Sequence, residues 1–93
     1  MWSRELIARL KLELPRWRWK SGLTHRGGTL DGEAQKQVIH CEIEHVRGRW
    51  VLDAHGLLGR RQPQWTLTLE GEKFDSIDGL ATAILAECRS LYR

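Results

Sequence analysis

Cysteine, proline and long apolar runs are what this sequence is short of. Its two cysteines, Cys41 and Cys88, stand alone with no CxxC spacing, which excludes the paired ligand sets of zinc modules. Cys41 falls in a predicted strand and Cys88 in a predicted helix of the facing layer. Packed layers lie about 10 Å apart, beyond the roughly 4.4–6.8 Å between Cα atoms that a disulfide spans. Both therefore read as buried free thiols, the usage expected of a cytoplasmic protein. No uncharged stretch exceeds Gly79 to Ala86 in length, far short of the about 20 apolar residues of a membrane-spanning helix. The start, MWSRELIARLKLELP, carries charges among its apolar residues and does not read as a signal peptide. Enzyme motifs are missing too: there is no GxSxG and no HExxH, and the glycines from Gly22 to Thr29 place Gly28 where a phosphate loop needs lysine. No catalysis, cofactor or metal is expected from these residues.

What is present describes a fold. Ninety-three residues, 41% hydrophobic and 29% charged, suit one soluble domain over residues 1–93 with a single modest core. Net charge is +3 and unevenly spread: residues 1–30 carry +5 and the remainder −2. A basic N-terminal third invites a polyanion or an acidic protein surface, while a solvated mixed-charge surface is the plainer reading.

The clearest stretch is Gln37 to Gly56, two alternating runs joined by Arg47-Gly48. A two-residue hairpin loop there sets Val46 opposite Arg49, His45 opposite Trp50 and Ile43 opposite Leu52. Ile39, Cys41, Ile43, His45, Trp50, Leu52 and Ala54 then share one face, and His40, Glu42, Glu44, Asp53 and His55 the other. A slip of one residue would scramble both sets, so the register tests itself.

Around this hairpin, Leu6, Ile7, Leu10 and Leu14 keep helical spacing until Pro15, with Ser3 as the expected cap and Trp2 as a staple onto Ile7. Residues 16–20 alternate Arg and Lys with Trp17 and Trp19, a short strand whose tryptophans suit a core better than a stacking platform for nucleic acid. Residues 21–35 read as a mobile loop, or as a hairpin turning at Arg26-Gly27-Gly28. Leu57 to Gln64 reads as an exposed loop, and Trp65, Leu67 and Leu69 as the inward side of a further strand. Asp75 or Ser76 caps a final helix whose stripe is Ile77, Leu80, Ala81, Ile84, Leu85, Cys88, Leu91 and Tyr92. The expected architecture is α+β: a two-layer sandwich with three to four antiparallel strands and both terminal helices on one face.

Two constellations bear on function. On the open face, Glu42 opposite Asp53 and His40 opposite His55 form a cluster that a metal could join. Arg16, Arg18 and Lys20 would neutralise it without one if their strand joined the same face, and that charge ladder is the preferred reading. The second constellation is the loop pair Leu57 and Leu58 beside Arg60 and Arg61, apolar anchors next to directional cations. The expected activity is that of a non-enzymatic protein-binding domain occluding a partner surface, with Arg16, Arg18, Lys20, Arg26, Leu57, Leu58, Arg60 and Arg61 in contact. Size, tryptophan content and charge suit a phage or mobile-element inhibitor acting on a nucleic-acid-handling complex in the manner of anti-CRISPR proteins. The alternative is direct nucleic-acid binding through the basic N-terminal third and Arg60-Arg61.

Overall fold

The computed structural model of the protein describes residues 1–58 and 61–90. Helix α1 (Trp2–Glu13) leads into β1 (Arg18–Thr24), β2 (Gly27–Ala34), β3 (Gln37–Val46), β4 (Arg49–Leu58) and β5 (Gln64–Phe74), and α2 (Ile77–Ser90) follows. The strands form one antiparallel sheet in the order β1-β2-β3-β4-β5, so each pairs with its neighbours in sequence. The fold is the expected α+β arrangement, with both helices packed on one side of the sheet. Arg60, Leu91 and Tyr92, assigned roles above, lie outside the described residues.

The central hairpin has the register that its alternation predicts, with Val46, His45, Ile43 and Glu42 opposite Arg49, Trp50, Leu52 and Asp53. Arg47 and Gly48 both take positive φ, 53° and 75°, the left-handed pair that matches the twist of a two-residue hairpin. From that register, Ile39, Cys41, Ile43, Leu52 and Ala54 all enter the core against Leu6 and Leu10 of α1 and Leu80, Ala81, Ile84, Leu85 and Cys88 of α2. Each fully buried Leu or Ile side chain stabilises the fold by about 1.5–3 kcal/mol.

Five strands are present rather than three or four because residues 21–35 form ladder, not loop. The glycines that suggested a loop make room in a strand: a Cβ on Gly32 would lie 2.5 Å from the ring of Trp19. Trp19 stands opposite Gly32 and stacks on Trp17, with ring centroids 5.8 Å apart. Trp17 is 4% exposed, so the tryptophans belong to the core, although the strand begins only at Arg18. The turn is His25-Arg26, one residue earlier than expected, and Thr24 Oγ1 donates to the Gly27 carbonyl across it.

Both helix starts carry a lesson in local competition. Ser3 does not cap α1; it is buried within the helix, and Met1 takes the cap position without a side-chain hydrogen bond. The helix begins earlier because Trp2 reaches the sheet, donating Nε1–H to the His25 carbonyl at 3.1 Å and meeting the stacked His45–Trp50 rings edge-on. At α2, Ser76 Oγ accepts the Gly79 amide at 3.0 Å, an N-cap of the expected kind. Ser76→Ala should cost about 1 kcal/mol and lower the thermal midpoint by roughly 4–8 °C. A calorimetric scan showing no change would remove the cap from the account. Arg9–Asp78 and Arg89–Glu13 ion pairs tie the two helices together.

Candidate functional site

With both helices on one side, none of the described residues covers the other sheet face, and the pairing dictates what it shows. One cross-strand row runs Lys20, Asp31, His40, His55 and Leu67; the next toward the β2–β3 turn holds Arg18, Glu33, Leu57 and Trp65. Trp65 and Leu67 were expected inside. Register shifts where β5 meets β4 place Leu67 opposite His55 but Leu69 opposite Ala54, so Thr68 is an extra residue and the side-chain alternation reverses there. Leu69 consequently packs against the core, whereas Trp65 and Leu67 emerge on the open face, 53% and 45% exposed. His40, His55 and Trp65 line a shallow hollow of about 390 Å³, with Trp65 edge-on to His40 at 6.3 Å.

The middle of this face is acidic, and the expected charge ladder is not what neutralises it. Because β2 separates β1 from β3, Arg18 and Lys20 stand opposite Glu33 and Asp31 and do not adjoin Glu42 or Asp53. Arg18 pairs with Glu33 at 3.2 Å, and Arg16 lies in the turn before β1. Asp53 instead accepts the Gly71 amide at 2.7 Å, and Glu42 faces His40 Nε2 at 3.5 Å. His40 Nδ1 lies 2.5 Å from Asp31 Oδ1. Asp31 holds the imidazole above its ordinary range, chiefly through this hydrogen bond, while partial burial opposes the shift.

That shift fixes a pH dependence. Since the folded-state value lies above the unfolded value of about 6.5, the pair's contribution is complete below the unfolded value and is lost as pH rises through the folded one. The thermal midpoint of the wild type should exceed that of His40→Gln at mildly acidic pH, with the gap closing toward alkaline pH. An NMR titration placing His40 at or below the ordinary histidine range would contradict this reading.

Among the described residues, no group of three or more His, Cys, Asp and Glu side chains is placed to hold a metal ion. Cys41 and Cys88 are both buried and unpaired; burial raises both thiols, Cys88 to about 12. No helix among the described residues is long and apolar enough to cross a membrane.

The residues proposed from sequence as one contact surface divide. Arg18 and Lys20 lie on β1 and Arg61 just before β5, but Arg26 sits in the β1–β2 turn at the other end of the sheet. Leu57 and Leu58 belong to β4 and not to a loop. As consecutive strand residues they point to opposite faces: Leu57 stands opposite Trp65 on the open face, and Leu58, 39% exposed, opposite Gln64 on the helix side. The hollow of His40, His55 and Trp65 is the feature that sequence reasoning missed, because the alternation of β5 gives no sign of its bulge. Comparison with protein-family models, with curated proteins and with solved structures gives no match, so the chain's function has to be read from its residues and geometry.

Proposed function

We propose that the protein is a binding domain for another protein and that its open sheet face is the contact surface. The observation that carries this is the exposure of Trp65 and Leu67 beside His40, His55 and Leu57 on a face that no helix covers. Large aromatic side chains at the centre of a contact, ringed by charged groups, are the usual seat of binding energy between proteins. On this face Asp31, Glu33, Glu42 and Asp53 border the apolar patch, and Arg18 and Lys20 stand beyond Glu33 and Asp31 on β1. The acidic middle of the sheet disfavours nucleic acid on this face. A compact basic protein binding in this way suits occlusion of a nucleic-acid-handling complex, as phage and mobile-element inhibitors do; that part rests on size and charge.

One observation favours the second reading, direct nucleic-acid binding. At the β3–β4 turn, Arg47, Arg49 and Lys73 line a groove of about 560 Å³ together with Glu44, Val46 and Val51. Glu44 and the 2.9 Å pairing of Arg49 with Asp75 offset part of that charge. Affinity capture from a bacterial lysate, with and without nuclease, separates the two: a protein partner should be retained after nuclease treatment. Complete loss of the captured material on nuclease treatment would favour nucleic acid.

A further inference from the structure

Among the described residues, the sheet has two edge strands, β1 and β5, that no further strand pairs, and they differ in kind. Edge strands left unprotected pair with other chains, and folded proteins protect them with charges, glycine irregularities or bulges. β1 is protected: Arg18 and Lys20 stand in its first half and Gly22 in its middle. In β5 the protection covers only the second half, where the bulge at Thr68 is followed by Glu70, Gly71, Glu72 and Lys73. The first half, Gln64-Trp65-Thr66-Leu67, carries no charge, no proline and no bulge, and its side chains are exposed. It is rich in the aromatic, β-branched and aliphatic residues that favour ladders.

We propose that this half of β5 is a self-association edge, pairing antiparallel with β5 of a second copy to form one continuous sheet around a two-fold axis at Thr66. Two observations commit the occupant to a second copy. The first is register: only pairing centred on Thr66 sets Trp65 opposite the partner's Leu67, and Leu67 opposite the partner's Trp65, before the bulge interrupts the ladder. Both exposed apolar side chains are then covered reciprocally on the same face, as a two-fold contact requires. The second is charge. Arg61 precedes β5, while Glu70 and Glu72 stand in its second half. Antiparallel self-pairing brings the Arg61 end of one copy toward the Glu70 and Glu72 end of the other, so basic and acidic ends meet; parallel pairing would align like charges. Lys73 lies beyond the paired segment. His40 and His55 stay open in each copy, whereas Trp65 and Leu67 serve both this contact and the binding reading above; sedimentation of the protein alone tests the association apart from any captured partner.

Cysteine substitution tests the register directly, because Cys41 and Cys88 are buried and leave an introduced thiol as the reactive one. Facing Cα atoms in an antiparallel pair lie about 4.5–5.5 Å apart, inside the range a disulfide spans. The wild type should sediment as a dimer at micromolar concentration, and Thr66→Cys should crosslink to itself under mild oxidation. Gln64→Cys should stay uncrosslinked on its own, since the residue facing it is not another Gln64. Thr66→Lys, which opposes two like charges at the axis through an exposed side chain, should be a folded monomer by circular dichroism and sedimentation. A monomeric wild type, self-crosslinking of Gln64→Cys as fast as that of Thr66→Cys, or a Thr66→Lys variant that remains dimeric would each overturn the proposal.

Discussion

Gly27→Ala should cost about 3 kcal/mol or more and lower the thermal midpoint by roughly 12 °C or more, whereas Gly48→Ala should cost about 1–2 kcal/mol. Both glycines have positive φ, 121° and 75°, so both substitutions meet backbone strain. They differ in what the new methyl group touches. At Gly48 nothing lies within 4 Å; at Gly27 a Cβ would stand 2.1 Å from the Ile43 carbonyl oxygen and 2.9 Å from the Glu44 Cα. Neither neighbour is a side-chain end that can swing away. Relief requires β2 and β3 to part where the Gly27–Glu44 pair begins their ladder. Chemical denaturation of the two variants side by side is the measurement. A Gly27→Ala variant as stable as Gly48→Ala would mean that this end of the sheet is not packed as described.

Trp65→Ala should weaken binding to the captured partner about 30-fold or more, the equivalent of about 2 kcal/mol, while changing stability by only about 0.5 kcal/mol. The two numbers separate because the side chain is half exposed in the free protein and would become buried on binding. Leu57→Ala should follow in the same direction, since Leu57 stands opposite Trp65. Leu58→Ala should be nearly silent, because it belongs to the other face. For a nucleic-acid ligand the pattern inverts: a steep salt dependence, modest losses at individual cations and no effect at Trp65. Titration of each variant over a salt series decides between the two patterns. Unchanged affinity in Trp65→Ala would remove the open face from the functional account.

The parts of the fold that sequence reasoning reached are those in which two independent patterns had to agree. The Gln37–Gly56 hairpin is the example: either run alone allows several pairings, but both sort into the same two faces in only one. The stripe from Ile77 to Cys88 is legible for a similar reason, since several residues share one helical face. Residues 21–35 form the hairpin and not the mobile loop of the two alternatives, and sequence alone does not choose between them because glycine stands both for chain freedom and for lack of volume. Here it serves the second use at Gly32, and the partner that needs the space, Trp19, is far along the chain. β5 was misread because a bulge leaves no mark on alternation: Trp65, Leu67 and Leu69 look equivalent, and only pairing with Ala54 and His55 divides them. The charge ladder failed on topology, since residues close in type were separated by an unforeseen strand.

Because every strand pairs with its neighbour in sequence and the helices lie before and after them, the fold separates assembly of the sheet from sealing of its core. The hairpins close short loops, which costs little entropy and can proceed early. Covering Ile39, Cys41, Leu52 and Ala54 demands the long-range docking of α1 and α2, with Arg9–Asp78 and Arg89–Glu13 closing only when residues far apart along the chain meet. During synthesis the sheet therefore emerges before α2 does, with its apolar face half covered, and it stays exposed until that helix leaves the ribosome. The interval between those two events is the window in which this chain is open to capture by chaperones or by another unsealed sheet.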